Sequence, residues 1–485
     1  MRTQAIHVKT LILGAGLGGL GVAAQLVRDG DADFLIVDRA AGLGGVWRHN
    51  DYPGAACDTE SHLYCYSFFP HYTASEKYAN RKELLGYMQR LAIAYNLETR
   101  LLLNCEVASA KWDRERRIWC FQFGDGRRYT SNFFVAAWGQ LNRPSIPDFP
   151  ERAKYRGHMF HSAEWDKSID LSGKRVACIG NAASVVQFVP VIAPKVGNLT
   201  VFQRSANWIM PRNQMVFTQE QLVSFSAEPQ QFEQSRLELH QLREEGYLRM
   251  KVGSREQLDA FAVALQHLTE QVSDKTLRSA LTPDYELGCK RILKSDDYYP
   301  ALCRDNVQLE TRRIKCFYDE GIVTSDGVEI PFDVIIFGTG FASQDFFGDI
   351  DLRGYDGDTL AQAWENGPEA YLGIAVANFP NMFMVYGPNT NITHNSIVPM
   401  LEIQQNYITS AIKDIGSGQS VVMVRDDIFQ SFNRNIQSEL TSSVFSSGCS
   451  NWYTNADGKV INNWPGTIDQ YRMAAAWRAA DYSWE

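Results

Sequence analysis

The sequence has no apolar run that approaches the roughly 18 residues a helix needs to cross a bilayer, so we predict no membrane span. It also lacks a basic excess: 56 acidic against 47 basic residues give a net charge of −9, which argues against a nucleic-acid or anionic-membrane partner. The first ten residues lead into a strand-like stretch rather than an export signal, so we expect a cytoplasmic protein. The oligomeric state stays open.

Cysteine pairs at metal or redox spacing are missing too. The nine cysteines are scattered, and no two of them form a CxxC motif. An odd number without such spacing disfavours zinc and dithiol chemistry, and we predict reduced thiols that mostly fill the core. His158 and His161 form an HxxH pair without an evident third ligand, so we predict no metal site.

What is present is an ordinary globular composition, with 45% hydrophobic and 21% charged residues. At roughly 150 residues per domain, 485 residues predict two to four domains. Two segments then repeat one pattern of apolar strand, tight small-residue turn, helix and second apolar strand, which is a βαβ unit. Their strands and turns occupy residues 7–13, 14–19 and 34–38 in the first unit, and 175–179, 180–185 and 199–204 in the second.

The first unit carries a dinucleotide-binding pattern. Gly14, Gly16 and Gly19 form GxGxxG, in which glycines let the backbone turn tightly and approach a pyrophosphate at a helix N-terminus. Asp38 ends the second strand, at the position where an acid accepts from a ribose 2′-hydroxyl. Asp38 as a plain strand-end turn residue is the weaker alternative.

The second unit departs from this pattern. Gly180 is kept, but Ala182 and Val185 replace the second and third glycines, and we expect their side chains to crowd the pyrophosphate and the helix–strand contact. Arg204, like Asp38, lies 24 residues after the first glycine of its turn. Arginine favours a 2′-phosphate where a carboxylate repels it, and Ser205 adds a hydroxyl donor. FAD and NADPH are the simplest pair of ligands for the two units.

These units predict an α/β fold with two Rossmann-like dinucleotide-binding domains. The stretch 214–285 is rich in Gln, Glu and Leu, and we interpret it as a helical insertion whose apolar face comprises Leu258, Phe261, Leu265, Leu268 and Val272. A plain helical connector remains the alternative. The predicted segments are FAD domain 1–142, NADPH domain 143–213, insertion 214–285, NADPH domain 286–332 and FAD domain 333–485, with crossings near 142–147 and Pro331.

Further stretches resemble one enzyme family. Tyr155, Gly157, His161 and Trp165 are similar to the fingerprint Phe-x-Gly-x3-His-x3-Trp of Baeyer–Villiger monooxygenases, with tyrosine in place of phenylalanine. Other stretches of the chain also resemble sequences of this family and occur in the same order as in its members. They are residues 44–47, 52–64, 288–291, 306–307, 371–389, 448–453 and 464–466. The last two resemble the branch that acts on aryl and other ketones. Ala56 departs from the family, whose members often carry arginine there.

The resemblance implies an FAD- and NADPH-dependent enzyme that inserts one oxygen of O₂ into a ketone, giving an ester or lactone. It implies Arg291 as the guanidinium that stabilises negative charge and Asp58 as the carboxylate that positions it, while His161 and Trp165 have a conformational role. It also implies that Lys290 reaches the 2′-phosphate together with Arg204 and Ser205. The implied cofactor-binding residues are Gly14, Gly16, Gly19, Asp38, Gly45, Trp47, Asp58, Tyr64, Val107, Gly180, Ala182, Ser184, Gln187, Arg204, Ser205, Lys290, Asn389 and Trp452.

Two other functions stay open from the residues. A flavin enzyme that hydroxylates nitrogen or sulfur uses the same two cofactors and does not need Arg291. A reductase or oxidase would pass electrons onward without inserting oxygen. The missing cysteine pair disfavours disulfide reduction, and the sequence does not disclose which ketone would be the substrate.

Overall fold

The computed structural model describes residues 5–416 and 420–485. Its strands are β1 Ile6–Leu13, β2 Phe34–Val37, β3 Leu101–Leu102, β4 Val107–Asp113, β5 Ile118–Phe123, β6 Arg128–Ala136, β7 His158–His161, β8 Arg175–Ile179, β9 Asn198–Phe202, β10 Ile209–Met210, β11 Leu293–Lys294, β12 Val307–Glu310, β13 Ile314–Tyr318, β14 Gly321–Thr324, β15 Glu329–Pro331, β16 Val334–Phe337, β17 Asp351–Arg353, β18 Met382–Met384, β19 Val422–Val424 and β20 Tyr482–Trp484. Its helices are α1 Leu17–Arg28, α2 Val46–His49, α3 Arg81–Ala94, α4 Ala183–Ile192, α5 Gln219–Ala227, α6 Pro229–Glu245, α7 Arg255–Gln271, α8 Lys275–Ala280, α9 Tyr298–Leu302, α10 Leu360–Ala363, α11 Ile397–Ile415, α12 Asp426–Leu440 and α13 Ile468–Ala474.

The first sheet is mixed and is built around β1. Its order is β17-β4-β5-β6-β1-β2-β3, and β18 also pairs with β6. The strands next to β1 run parallel to it, and the last four residues of β1 are all buried. Such a continuous apolar run is typical of a parallel strand that is covered on both faces. On one face, α1 and α11 share a hydrophobic cluster with Ile12.

The second sheet is entirely parallel. Its order is β12-β9-β8-β16-β7. The last four residues of β8 and of β9 are buried, and α4 packs against them through Val185, Phe188 and Val189. A separate antiparallel sheet of β13, β14 and β15 belongs to the stretch between β12 and β16. The predicted α/β fold is therefore confirmed, with a strand-turn-helix unit at the centre of each large sheet.

The predicted boundary between residues 332 and 333 is wrong. The strand β16 begins at Val334 and pairs with both β8 and β7, so it completes the second sheet. The chain returns to the first sheet only after residue 337, through β17 and β18. Pro331 lies in β15, inside the antiparallel sheet, and is not at a crossing. A strand followed by glycine closes each βαβ unit, β6 in the first and β16 in the second, so the boundary belongs after this strand.

The region 214–285 contains four helices, α5 to α8. The predicted apolar face of α7 is only partly right: Leu268 and Val272 are buried, but Leu258, Phe261 and Leu265 are exposed. The buried face is instead formed by Gln257, Ala260, Ala264, His267 and Leu268. Ala260 and Ala264 pack against Trp208 and Leu287, and the small alanine side chains let the helix approach closely. A hydrophobicity pattern overlooks such a face because alanine scores weakly.

The prediction that all nine cysteines are reduced is wrong for two of them. Cys289 and Cys449 form a disulfide across 160 residues of chain, with their Cα atoms 6.2 Å apart. The other seven are free thiols, and Cys57, Cys65, Cys105 and Cys178 among them are buried. No CxxC spacing marks the pair, because the fold alone brings the two segments together.

Burial keeps several histidines uncharged. His62, His71 and His161 are at most 5% exposed, and burial lowers the pKa of His71 to about 3 and those of His62 and His161 to about 4. In the unfolded chain the three imidazoles take up protons near pH 6.5, whereas in the folded chain they do so only near pH 3 to 4. The stability that they contribute is therefore complete above pH 6.5 and is lost as the pH falls towards 3 to 4.

We expect His71→Gln to reduce the loss of stability between pH 7 and pH 5. In the wild type, His71 accounts for about 2 kcal/mol of that loss, because only the unfolded state is protonated over this interval. Urea titrations at the two pH values measure the difference in unfolding free energy. His158→Gln, at an exposed histidine, is the control, and an equal effect of both substitutions would contradict the argument.

Candidate active site

Two turns with the same backbone conformation face the carboxyl edges of the two sheets. Gly16 precedes α1 with φ −83° and ψ −172°, and Ala182 precedes α4 with φ −84° and ψ −164°. Both conformations are extended, so alanine adopts this position as readily as glycine. Neither helix has a side-chain cap on its first turn, which leaves those N–H groups available to an anion.

The first turn is a cradle that only glycine fits. A Cβ on Gly14 would lie 2.2 Å from the Ala137 carbonyl oxygen, and one on Gly19 would lie 1.9 Å from that of Gly14. Gly45, at φ +51°, faces Gly16 so closely that a Cβ on it would lie 2.9 Å from the Gly16 Cα. Such an approach of two bare backbones fits the pyrophosphate of a dinucleotide, and the residues present therefore suit FAD.

Asp38 stands beside this cradle, at the end of β2. Its Oδ2 accepts from the Ala15 N–H at 2.7 Å and its Oδ1 accepts from the Ala40 N–H at 2.8 Å. A carboxylate has about four acceptor sites, so the two oxygens retain capacity for ribose hydroxyls. On the α2 side of the cradle, the Trp47 indole donates to the Tyr64 hydroxyl at 3.1 Å.

The second turn compensates for its missing glycine. Val185 is fully buried, and its Cγ2 lies 2.1 Å from where a Cβ on Gly338 would be. The strand that follows therefore supplies the glycine that the helix lacks, so the predicted crowding of the helix–strand contact does not occur. Gly180, at φ +109°, keeps the tight turn, since a Cβ there would meet the Gly338 carbonyl oxygen. Ser184 follows in the first turn of α4.

Arg204, Ser205 and Lys290 come together beyond β9, as the sequence predicted. Lys290 Nζ donates to Ser205 Oγ at 2.7 Å and lies 4.4 Å from the centroid of the Tyr285 ring. Burial and the nearby Arg204 guanidinium both lower the pKa of Lys290. Within the described part of the chain, neither cation forms an ion pair with a carboxylate. Two unneutralised cations and a hydroxyl suit the 2′-phosphate of NADPH.

Arg291 and Asp58 form an ion pair between the two parts of the molecule. Arg291 Nη2 donates to Asp58 Oδ2 at 2.6 Å. Asp58 follows the cradle segment, whereas Arg291 lies just before β11. Burial opposes the charge on Asp58, but Arg291 and then Lys294 lower its pKa; in turn, Asp58 raises the pKa of Arg291 despite desolvation. Both groups stay charged at neutral pH.

A second layer of charge, which sequence reasoning missed, surrounds this pair. Lys294 Nζ donates to the Asp58 carbonyl oxygen at 2.9 Å, and its ammonium lies 5.1 Å from the centroid of the Tyr78 ring. Arg243, from α6, forms an ion pair with Glu60, which also accepts from the Tyr78 hydroxyl at 3.1 Å. Burial and Arg243 lower the pKa of Lys294 to about 8. A lysine three residues after Arg291, in a short strand, was the available sequence signal.

Two tyrosines, also missed, lie near Arg291. Burial raises the pKa of Tyr386 to about 12, and it raises the pKa of Tyr453 above its usual range, with the Arg291 charge opposing both shifts. The Tyr386 hydroxyl donates to Asn391 at 2.7 Å. Tyr453 follows Trp452 directly, so the same tail segment could have indicated it.

Three predicted cofactor residues have their side chains engaged within the protein. Gln187 holds the 52–56 segment: its Oε1 accepts from the Tyr52 hydroxyl at 2.9 Å, and its Nε2 donates to the Ala56 carbonyl at 2.9 Å. Asn389 Nδ2 donates to the carbonyls of Val460 and Asn463 at 2.9 and 3.0 Å. Val107, at the start of β4, is 3% exposed and belongs to a core cluster. The polar groups of Gln187 and Asn389 are therefore occupied by contacts within the protein, and Val107 lies in the core.

Trp452 lines a cavity with a volume of about 590 Å³. Phe341, Phe347 and Trp364 provide further aromatic walls, and Ser343 and Gln344 provide polar groups. The Trp452 carbonyl accepts from Asn462 at 2.9 Å, which fixes its backbone. The cavity combines a broad apolar lining with a few polar groups, as small-molecule sites do.

His161 and Trp165 lie where the chain passes between the sheets. His161 ends β7, and its Nδ1 accepts from the Ala163 N–H at 3.1 Å. Its ring contacts Phe341, 5.8 Å away, in the segment that returns to the first sheet. Trp165 packs against Phe188 of α4 at 5.3 Å. His158 is exposed on the other face of β7, because residues three apart in a strand point to opposite faces. The two histidines therefore do not converge on one metal ion.

Comparisons with known proteins decide the family. A Baeyer–Villiger monooxygenase of Pseudomonas aeruginosa is 38% identical over 96% of this chain and 89% of its own, and one of Streptomyces coelicolor is 36% identical over 96% and 90%. The chain belongs to the Baeyer–Villiger monooxygenase family. The model of the flavin-binding monooxygenase-like family matches residues 7–232. The crystal structure of cyclohexanone monooxygenase from Rhodococcus sp. Phi1 bound to NADP⁺ is 26% identical, with a TM-score of 0.90 over 99% of this chain and 100% of that one.

This membership confirms the predicted family, the α/β fold and the enzyme class. The protein is a Baeyer–Villiger flavin monooxygenase that depends on FAD and NADPH. The predicted roles of single residues are not tested by the comparisons and stay predictions. Among the described residues, no helix combines the length and apolar character that crossing a membrane demands.

For Arg204→Ala we expect a higher KM for NADPH and little change for NADH, because only a phosphate contact is lost. A charge-assisted contact contributes roughly 1.5–3 kcal/mol, equivalent to about a tenfold or larger increase in KM. Steady-state kinetics with each nucleotide measure the two KM values. Arg255→Ala, on the exposed side of α7, is the matched control. Equal impairment with NADPH and NADH would mean that Arg204 does not read the phosphate.

For His161→Gln and Trp165→Phe we expect poorer coupling of NADPH oxidation to oxygenation, with FAD content unchanged. Both side chains lie at the connection between the sheets rather than at the cradle, so they affect closure first. The ratio of ester formed to NADPH consumed measures coupling, and the flavin spectrum measures FAD content. His158→Gln, on the opposite face of β7, should change neither. Loss of FAD from the His161 variant would indicate a folding role instead.

Proposed function

We propose that this Baeyer–Villiger monooxygenase uses Arg291, held by Asp58, to insert one oxygen of O₂ beside a ketone carbonyl and form an ester or lactone. The single observation that supports this proposal is the Arg291–Asp58 pair, 2.6 Å apart. Its two members come from distant parts of the chain: Asp58 follows the cradle segment of the first unit, and Arg291 lies just before β11. Arg291 remains 41% exposed while Asp58 is 24% exposed, so the guanidinium has free N–H groups to offer a substrate.

The two turns supply the cofactor sites of this proposal. The first sheet, with the cradle of Gly14, Gly16 and Gly45 and with Asp38, would hold FAD. The second sheet, with Gly180, Arg204 and Lys290, would hold NADPH. The corrected domain organisation is then an FAD domain of residues 1–142 and about 338–485, and an NADPH domain of residues 143–213 and 286–337, with α5 to α8 inserted.

Bound FAD, once reduced by NADPH, supplies the activation of O₂. The chain's own residues then have three tasks. Arg291 offers planar, permanently charged donors to oxygen atoms that gain negative charge. Asp58 orients the guanidinium through one edge, and Lys294 fixes the backbone of Asp58. The arrangement stabilises negative charge developing on the ketone oxygen, which a hydroxylation of nitrogen or sulfur does not require.

The aromatic cavity beside Trp452 suits a small organic ketone, and we propose such a ketone together with O₂ as the substrates. Its apolar walls favour a neutral, hydrophobic molecule over a charged one. We also propose a cytoplasmic location, where thiols would be able to reduce the Cys289–Cys449 disulfide, and no nucleic-acid partner. The net charge of −9 supports the second of these.

For Arg291→Ala we expect a folded, FAD-loaded protein that NADPH still reduces, and ester formation lowered by roughly 10²-fold or more, as for other removed oxyanion stabilisers. Arg291→Lys should not restore activity, because an ammonium cannot donate to two oxygens in one plane. Asp58→Asn should show a milder defect, since Asp58 orients the guanidinium. Product analysis over cyclic, linear and aryl ketones, beside NADPH consumption, measures the effect.

The control is Arg255→Ala, which removes an exposed arginine of α7 outside the Asp58 pair. Undiminished ester formation by Arg291→Ala would overturn the assignment. Turnover of amines or sulfides but of no ketone by the wild type would assign the hydroxylating activity instead.

A further inference from the structure

The disulfide lies between two segments that carry proposed site residues. Cys289 directly precedes Lys290 and Arg291, and Cys449 lies three residues before Trp452. The first segment belongs to the part of the chain that includes the second sheet, and the second follows α12 near the C-terminus. The bond therefore joins the phosphate-binding and catalytic segment to the segment that lines the aromatic cavity.

Non-covalent contacts also join the two segments. A Cβ on Gly288 would lie 3.0 Å from the Val444 Cγ2, and Ile292 packs against the cluster that contains Val444 and Phe445. Asn451 Nδ2 donates to the Cys289 sulfur at 3.9 Å and to the Phe445 carbonyl of its own segment at 3.2 Å. Apart from a short turn at Val444–Ser446, residues 441–453 contain no helix or strand. The disulfide adds a covalent anchor to these weaker contacts.

We propose that the Cys289–Cys449 disulfide is a positioning element that holds Lys290 and Arg291 against the Trp452 segment, and that its reduction by a dithiol loosens both. This inference rests on the proposed function of those residues. A cross-link over a long chain separation removes many conformations that the segments would otherwise sample. With the bond broken, Lys290 and Arg291 keep their own hydrogen bonds but lose their fixed distance to Trp452 and Tyr453.

Reduction of the Cys289–Cys449 disulfide needs no reactant other than the dithiol. A dithiol donates two electrons and two protons: the S–S bond breaks, two S–H groups form, and the reductant becomes a disulfide. Cys289 is fully buried, whereas Cys449 is partly exposed, so attack occurs at the Cys449 sulfur and Cys289 leaves as a thiolate. Two cations follow Cys289 in the chain, and neighbouring cations favour a leaving thiolate.

The first measurement establishes the bond itself. Holoenzyme prepared without reductant should show seven titratable thiols after denaturation, matching the seven free cysteines, and nine after dithiothreitol. Peptide mass spectrometry should find the 289 and 449 peptides linked. Nine thiols before any reductant would overturn the proposal.

The second measurement tests positioning. Dithiothreitol treatment, and separately the double variant Cys289→Ser/Cys449→Ser, should weaken NADP⁺ binding by about tenfold, as expected when a charge-assisted contact becomes mobile. Both should also lower the ester formed per NADPH, with FAD content unchanged. Reoxidation should restore the wild type, whereas dithiothreitol should not affect the double variant further. Cys303→Ser, at an exposed free thiol, is the control and should respond to reductant as the wild type does.

The outcomes separate this inference from the proposed function. A fall in melting temperature with unchanged NADP⁺ affinity and coupling would mean that the bond only stabilises the fold, and it would overturn the positioning role. If the protein forms no ester from any ketone, the proposed function fails. The NADP⁺ titration still decides the positioning of Lys290 in that case, because it does not depend on turnover.

Discussion

The ion pair between Asp58 and Arg291 is the constraint on which the rest of the structure depends. Both side chains are partly shielded from water, and such charges are favourable only where further polar groups compensate them. Lys294 and the Glu60–Arg243 pair provide that compensation from elements around the site. The helical region contributes Arg243 through α6, so it takes part in the charge balance of the centre rather than serving only as a connector.

The two sheets communicate through a narrow connection. The outgoing and returning segments pair with each other, since Pro144 and Phe341 form an antiparallel bridge and the Ser145 N–H donates to the Gly340 carbonyl at 2.9 Å. His161 contacts Phe341 at the side of this connection. Further contacts join the same two parts of the chain, since Gln187 of α4 bonds to Tyr52 and Ala56 and Arg291 pairs with Asp58. The disulfide adds a covalent link between residues 289 and 449.

Local features of the site were predictable from the sequence, and non-local ones were not. Residues 14–19 and 180–185, Asp38 and Arg204 follow from a strand-turn-helix unit whose geometry repeats wherever it occurs, and the meeting of Lys290 with Ser205 followed from the family resemblance. The strand at 333–340 was predictable as the closing strand of the second unit because it ends in glycine, whereas the Cys289–Cys449 bond joins distant residues and leaves no local pattern. The buried face of α7 escaped because Ala260 and Ala264 contribute by being small.

The contact between Val185 and Gly338 shows that a glycine requirement can belong to a pair of positions rather than to one. Val185 of α4 fills the space between the helix and the end of β16, so the residue at position 338 must have no side chain. Position 338 is therefore closed to every side chain for as long as valine occupies position 185. A search pattern that demands glycine on the helix would pass over such a site, whereas one that scores the two positions jointly would keep it. A side chain at position 338 is accordingly expected only where position 185 holds a residue smaller than valine.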